Sequence, residues 1–239
     1  MHLPLRVAVV AAALTLALTP CALAAQLYGV SGEDTYRVGK ALGETHIVYR
    51  GVERLEVLRT AAGRRYVATV TYTRLDESGK ESVHGRFEQE LLRDGTFVDG
   101  TDDDPDFLTI LNQPFAVQLD GVTLHEIERL HGLVPFEAAS PLGGSRLDGF
   151  LSSASRGEVD GQSVVGVRFK ADGPMTGTLP QHPDAVLSGR MVMDGTAYYA
   201  ERGALLLALD ATLTIEGRLR SGKDSIPVRI IYHRYIRAN

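Results

Sequence analysis

Residues 124–132, LHEIERLHG, contain two histidines and two glutamates, which are residue types that bind zinc. A zinc-protease helix requires His-Glu-x-x-His, because histidines four residues apart lie on one face and the glutamate between them acts as a base. Arg129 occupies the position of the second histidine. The next histidine, His131, lies about 120° around a helix from His125. We therefore predict no metal site and no catalytic residue in this segment.

The same residues are typical of a short capped helix. Thr123 and Glu126 have the spacing of a capping box, and Gly132 is suited to end the helix in a left-handed conformation. The apolar residues between these signals fall on one side of the helix, whereas the charged residues point away from it. We predict that this apolar side forms a lid or plug over the core, through Leu124, Ile127 and Leu130.

Other catalytic motifs are missing or incomplete. A serine hydrolase needs Gly-x-Ser-x-Gly on a sharp turn. The nearest string, GQSVVG at 161–166, is one residue too long and runs into a predicted strand. The Gly143-Gly144-Ser145 turn lacks the spacing and the lysine of a phosphate-binding loop. We predict no cofactor, and among enzymes only a hydrolase that uses two scattered carboxylates stays open, as a second alternative.

The acidic run at 99–106, DGTDDDPD, allows two interpretations. Several carboxylates close together could bind calcium weakly, although the run lacks the glycine and acidic positions of an EF-hand loop. Alternatively, Asp104 caps a short helix near 105–112, with Pro105 in its first turn. The sequence does not decide between them.

Residues 1–25 are typical of a cleaved secretory signal peptide, with a basic Arg6, an apolar run and a small-residue cleavage site. This predicts a secreted or periplasmic protein. Two alternatives are a retained membrane anchor and a lipoprotein acylated at Cys21, although Pro20 before that cysteine argues against acylation. Cleavage would remove Cys21, the single cysteine, and so exclude thiol chemistry.

Residues 26–239 have the size of a single β-rich domain. The formal net charge of −5 becomes −6 when Arg6 is removed. This mild acidity argues against a nucleic-acid partner, which would require clustered lysine and arginine. No later stretch is long and apolar enough to predict a transmembrane span.

Alternation of apolar and polar residues predicts that most of this domain is strand. The clearest case is 204–219, where we expect Leu206 to be an exception to the alternation and one face to be buried. That expected face consists of Leu205, Leu207, Leu209, Ala211, Leu213 and Ile215. Further strands are expected at 53–60, 65–75, 82–92, 146–154, 163–171, 188–200 and 226–237, and 172–187 is expected to be a connector. The predicted fold class is mainly β: an antiparallel, curved sheet that forms a barrel or half-barrel, with one or two short helices.

The last predicted strand has two contrasting sides. Tyr232, Arg234 and Ile236 fall on one side, and the other side carries Arg229, His233, Tyr235 and Arg237. The second side could receive an anionic headgroup or a partner's carboxylates. Alternatively, it is the solvated side of a terminal strand, with Arg229 and Arg237 protecting a sheet edge.

A curved sheet has a concave apolar face, and this suggests a function. We expect an extracytoplasmic, non-catalytic protein that binds an apolar or amphiphilic, lipid-like molecule. The expected pocket lining consists of Leu205, Leu207, Leu209, Leu213, Ile215, Met191 and Met193. The alternative is a structural or assembly module of the cell envelope, whose interior is filled and whose partner is another envelope protein.

Overall fold

The structure is a computed structural model. It describes residues 25–39, 44–93, 97–102, 121–130, 133–139, 146–179, 182–202 and 205–239. The predicted signal peptide and the predicted helix near 105–112 lie outside these residues. In the described part of the chain, no helix has the length and apolar character needed to cross a membrane.

Eleven strands and one helix make up the described fold. The strands are β1 (Gln26–Val38), β2 (Glu44–Arg59), β3 (Gly63–Asp76), β4 (Gly79–Leu92), β5 (Phe97–Asp102), β6 (Val134–Ala139), β7 (Arg146–Val159), β8 (Gln162–Leu179), β9 (His182–Ala200), β10 (Leu206–Ser221) and β11 (Asp224–Ala238). The helix α1 (Gly121–Leu130) lies between β5 and β6 in the sequence.

All eleven strands belong to one antiparallel sheet, in the order β5-β4-β3-β2-β1-β11-β10-β9-β8-β7-β6. Apart from β5 and β6, strands that follow each other in the sequence are neighbours in the sheet. Tight turns connect many of them; the turn after β7, for example, has positive φ angles at Asp160 and Gly161. The first and last strands pair in the middle of the sheet, and β5 and β6 form its two edges. The predicted fold class is therefore confirmed.

The sheet curves around its apolar face. One cluster of buried side chains includes residues from strands on both halves of the sheet and from α1. Tyr199 on β9 and Tyr66 on β3 are five strands apart in the sheet order. Burial and the electrostatic effects of Tyr28 and Tyr66 nevertheless raise the pKa of Tyr199. The inner faces of the two halves therefore approach each other.

Glycines on the inner face bring neighbouring strands unusually close. Gly189 on β9 lies opposite Gly217 on β10. A Cβ atom on Gly189 would overlap the carbonyl oxygen of Glu216 and lie 2.5 Å from the Cα atom of Gly217. Such a close backbone approach bends a sheet toward the side that lacks side chains. This pair therefore contributes to the curvature.

A β-bulge corrects one sequence prediction. The pairing of β10 with β9 shifts between Leu206 and Ala208, which inserts an extra residue into β10. As a result Leu206 joins the main cluster, whereas Leu207 packs with Val164 and Ala200 in a smaller second cluster, against which Leu205 also packs. The prediction that Leu205 and Leu207 share a face with Leu209 is therefore wrong. Alternation cannot reveal an inserted residue.

Several predicted boundaries also differ from the structure. The expected connector at 172–187 lies mostly within β8 and β9. Strand β1 was not predicted, because glycines and charged residues interrupt its alternation. Helix α1 begins at Gly121, so Thr123 lies inside the helix and is not its N-cap.

The helix packs against the core through the predicted apolar side. Leu124 and Ile127 belong to the main cluster and are 4% and 0% exposed. Leu130 is the last residue of the helix, and its side chain is outside the described part. On the outside, the Arg156 guanidinium of β7 lies 2.7 Å from the Glu128 carboxylate. An exposed ion pair therefore connects the helix to the sheet.

The role of the inner glycines in curvature is testable by two Gly→Ala substitutions. We expect Gly189→Ala to lower the free energy of unfolding by about 1–3 kcal/mol, because the new methyl group forces the β9 and β10 backbones apart. Gly157→Ala is the control, since its Cβ would meet only the Val164 side chain, at 3.9 Å. We expect the control to be unchanged or stabilised by up to about 1 kcal/mol in urea unfolding. Equal effects of both substitutions would contradict the proposed role of Gly189.

Candidate functional site

Five of the predicted pocket-lining residues lie on the inner face of the sheet. They are at most 3% exposed and belong to the main cluster: Met191, Met193, Leu209, Leu213 and Ile215. These side chains therefore contact other side chains of the protein and do not border an open hollow. A ligand could reach them only if the elements that cover them moved.

The inner face also buries three charged residues that the sequence analysis did not select. Asp34 on β1, Glu53 on β2 and Arg234 on β11 are 0%, 0% and 1% exposed. Burying a charge is unfavourable unless the group is paired or changes its protonation state. These three residues are therefore the most informative on this face.

Arg234 and Asp34 form an ion pair across the junction of the first and last strands. Arg234 lies opposite Gly32 on β1, and Asp34 is two residues further along β1. A Cβ atom on Gly32 would lie 2.8 Å from Cδ and Nη1 of Arg234. The missing side chain therefore gives the guanidinium the space to lie along β1 and donate a hydrogen bond to the Asp34 carboxylate.

Tyrosine rings surround this ion pair. The Arg234 guanidinium carbon lies 4.6 Å from the ring centroid of Tyr49 and 5.8 Å from that of Tyr232. Tyr36 packs edge-on against Tyr232, with centroids 5.9 Å apart, and its hydroxyl lies 3.4 Å from Asp34 Oδ2. Cation–π contacts and hydroxyl donors stabilise both charges. We call Asp34, Tyr36, Tyr49, Tyr232 and Arg234 the polar cluster.

Two opposing effects act on the Asp34 carboxyl. Burial raises its pKa above the ordinary value, and this effect prevails. The positive charge and hydrogen bond of Arg234 oppose it, as do hydrogen bonds from Tyr49 and Tyr36. The ionised form of Asp34 is therefore stabilised by its contacts with Arg234, Tyr49 and Tyr36.

Glu53 has no such partner. Among the described residues, neither of its carboxyl oxygens has a hydrogen-bond partner, and the hydroxyl of Tyr28, directly opposite on β1, also has none. Burial raises the pKa of Glu53 to about 8. Glu53 is therefore mostly protonated at pH 7, so its carboxyl can both donate and accept a hydrogen bond.

The outward side of β11 differs from the prediction for a sheet edge. Strand β11 pairs with β1 and β10, so Arg229 and Arg237 do not protect an edge. Arg229 Nε lies 3.2 Å from the Glu216 carboxylate, and Arg237 Nε lies 3.0 Å from Asp160. Both arginines are therefore neutralised by carboxylates of the same chain.

Metal and hydrolytic chemistry find little support in the described geometry. Among the described residues, no group of three or more histidine, cysteine, aspartate or glutamate side chains is placed to bind a metal ion. His125 of α1 is exposed, as the analysis of 124–132 predicted. Hydrolysis by Asp34 and Glu53 would require access of water to both carboxyls, whereas both are fully buried.

The inner face thus has two parts that differ in the types of side chain they carry. Strands β8 to β10 contribute mainly aliphatic and methionine side chains, whereas β1 to β3 and β11 contribute most of the tyrosines and all three buried charges. Seven of the nine tyrosines lie in or against the main cluster: Tyr28, Tyr36, Tyr49, Tyr66, Tyr72, Tyr199 and Tyr232. Such a surface has an apolar part and a hydrogen-bonding part.

The unpaired Glu53 carboxyl predicts a pH dependence of stability. Its pKa is about 8 in the folded protein against an ordinary value of 4.5, so the unfolded chain releases the proton first. The free energy of unfolding should therefore fall as pH rises from about 4.5 to 8. We expect Glu53→Gln to remove this slope and to be more stable than the wild type by about 3 kcal/mol at pH 7, measured by urea unfolding from pH 4 to 9. Parallel pH profiles for the two proteins would contradict a buried, neutral Glu53.

Breaking the Arg234–Asp34 pair should be more harmful than replacing both residues. Arg234→Met leaves a buried carboxylate without its cation, and we expect a loss of about 3–5 kcal/mol in the free energy of unfolding. Adding Asp34→Val removes that orphaned charge, so the double variant should recover much of the loss in urea unfolding. A double variant no more stable than Arg234→Met would show that the two charges do not depend on each other.

Comparison with known proteins identifies no similar protein. No family model matches the chain, and the searches of curated proteins and of solved structures find no match. The function is therefore argued from the chemistry of the inner face.

Proposed function

We propose that this protein is an extracytoplasmic, non-catalytic binding protein for an amphiphilic, lipid-like molecule. The ligand lies between the inner face of the curved sheet and α1. Its apolar part contacts the aliphatic side chains of β8 to β10, and its polar end lies near Glu53 and Tyr28.

A single observation carries this proposal: two buried polar groups on the inner face lack partners. Glu53 and Tyr28 are both 0% exposed, and the Glu53 carboxyl and the Tyr28 hydroxyl form no hydrogen bond with any part of the chain that the structure describes. Each unsatisfied buried group costs about 1–3 kcal/mol. A ligand with a hydroxyl, carbonyl or carboxyl end would satisfy both groups and recover that free energy on binding.

We infer that binding in this position requires α1 to move, because the inner face is buried and Leu124 and Ile127 of α1 pack in the same cluster of side chains. The helix is ten residues long and contacts the core through few side chains. The Glu128–Arg156 pair that attaches it to β7 is exposed, with 71% of the Arg156 side chain accessible. Exposed ion pairs contribute only about 0–1 kcal/mol. The attachment of the helix is therefore weak enough for it to act as a lid.

A second candidate function rests on the filled interior. Met191, Leu209 and Ile215 are 0% exposed, as expected for a core packed by its own side chains. A structural or assembly module of the cell envelope that binds another protein would have such a core. This candidate requires no movement of α1, and it predicts that no lipid accompanies the protein.

Mass spectrometry of bound lipids separates the two candidates. The protein, purified from its host compartment, is extracted and examined for co-purified lipid, then delipidated and titrated with a fluorescent fatty acid. We expect near one-to-one binding by the wild type and at least tenfold weaker binding by Glu53→Leu, which replaces the hydrogen-bonding carboxyl with an apolar side chain of similar size. A wild-type protein that carries no lipid and binds no probe would support the assembly module.

The lid has its own test. We expect Arg156→Glu to accelerate uptake of the fluorescent fatty acid up to about fivefold, because the substitution places two carboxylates side by side and releases α1. Exchanging the charges, with Arg156→Glu and Glu128→Arg together, should restore the slow rate in stopped-flow measurements. Arg190→Glu is the control, since it breaks the Arg190–Asp172 pair between β8 and β9, away from the helix. If Arg190→Glu accelerated uptake as much as Arg156→Glu, α1 would not be the lid.

A further inference from the structure

The outer face of the sheet has a groove that the proposed function does not use. It has a volume of about 530 Å³ and crosses β11, β1, β2, β3 and β4. This volume is in the range of small-molecule sites. The groove lies on the opposite side of the sheet from the buried Glu53, Asp34 and Arg234 side chains, although Tyr49 of the polar cluster also borders it.

Strand pairing arranges the groove as two rows of side chains. One row runs Tyr235, Ser31, Arg50 and Thr73 across four strands. The small Ser31 side chain lies between the larger side chains of Tyr235 and Arg50, and this difference in size forms part of the groove. Strands β11, β1, β2 and β3 are each paired on both sides here, so their backbone groups are not free to bind an added strand. An occupant must therefore be held by side chains.

The second row supplies the apolar part of the groove and a cation at its end. It runs His233, Glu33, Val48, Leu75 and Lys80. Val48 and Leu75 are 47% and 50% exposed, although they are large aliphatic side chains. An exposed pair of this kind offers a small surface for an apolar or aromatic group, and Tyr235 borders the same groove two strands away from Val48.

The charged side chains make the two ends of the groove electrostatically different. Arg50 and Lys80 have no carboxylate partner among the described residues, and their Cα atoms are about 12 Å apart by strand spacing, within reach of one anion for two long side chains. Glu33 lies toward the other end and contacts His46, 3.2 Å from its carboxylate. An anion is therefore attracted toward β2 to β4 and repelled near β1.

We propose that this groove binds a small anionic amphiphile. The carboxylate, sulfonate or phosphate of the ligand contacts Arg50 and Lys80, and its apolar or aromatic part covers Val48 and Leu75 toward Tyr235. This site is separate from the inner face and does not depend on movement of α1.

The test uses two probes that share their rings and differ in one charge. 8-Anilinonaphthalene-1-sulfonate carries a sulfonate, and N-phenyl-1-naphthylamine lacks it. The full chain is titrated with each probe by fluorescence. We expect the wild type to bind the sulfonate at least tenfold more tightly than the uncharged probe, and this binding to weaken as salt is added, because the charged contacts are exposed.

Two pairs of substitutions locate the site. We expect Arg50→Gln with Lys80→Gln to weaken sulfonate binding at least tenfold, because the two substitutions remove both charge-assisted contacts with the anion. The control is Arg168→Gln with Lys170→Gln, an exposed arginine and lysine on β8, and it should stay within twofold of the wild type. The groove variant also separates this site from the inner face, since the pH dependence of its unfolding, which is set by the buried Glu53, should be unchanged.

Four results would overturn the proposal. The wild type could fail to bind the sulfonate, or bind the uncharged probe as tightly. The groove variant could retain its affinity, which would locate the probe elsewhere. Equal weakening in the groove and control variants would indicate a general effect of net charge and not a site.

Discussion

The pairing of the first and last strands is the interaction on which the rest of the structure depends. Strands β2 to β5 and β10 to β6 extend from it in opposite directions, so without it the sheet would separate into two meanders. On the inner face this junction carries the Asp34–Arg234 hydrogen bond, between residues 200 apart in the sequence. A contact so distant in sequence forms at a high cost in chain entropy, and it makes the folding of one half depend on the other.

The ion pair at this junction is better suited to fix the arrangement of the strands than to stabilise it strongly. Replacing a buried pair by apolar side chains is often neutral or favourable, because the pair gains little beyond its own desolvation. The geometry, however, is demanding: the guanidinium needs Gly32 beside it, Tyr49 beneath it and Asp34 ahead of it. A shift of one residue in the pairing of β1 with β11 would put Arg234 on the outer face and leave Asp34 buried alone. The pair thus disfavours other registers.

The sequence predicts the parts of this structure that depend on local pattern. Leu209, Leu213 and Ile215 alternate with polar residues, so their common buried face and the antiparallel class could be predicted, as could the apolar side of α1 at Leu124 and Ile127. The bulge at Leu206 could not be predicted, because a single inserted residue does not change the pattern of residue types on either side of it. The buried charges left faint signals: Arg234 lies between Tyr232 and Ile236, and Glu53 alternates with Leu55 and Val57. Those patterns predict a charged residue on an apolar face, but they do not identify its partner, which lies on a strand far away in the sequence.

The two faces of β1 and β11 are linked by their shared backbone. Arg234 points inward between His233 and Tyr235, which point outward into the groove, and Gly32 lies between Ser31 and Glu33 in the same way. A change that shifts either strand therefore alters both faces, and residues this close do not contribute independently to stability. Lys80 avoids this problem because it lies on β4, beyond the junction, whereas Arg50 is adjacent to Tyr49 of the polar cluster. Effects of their substitution on anion binding can be attributed to the groove, provided that the Glu53-dependent pH profile of unfolding stays unchanged.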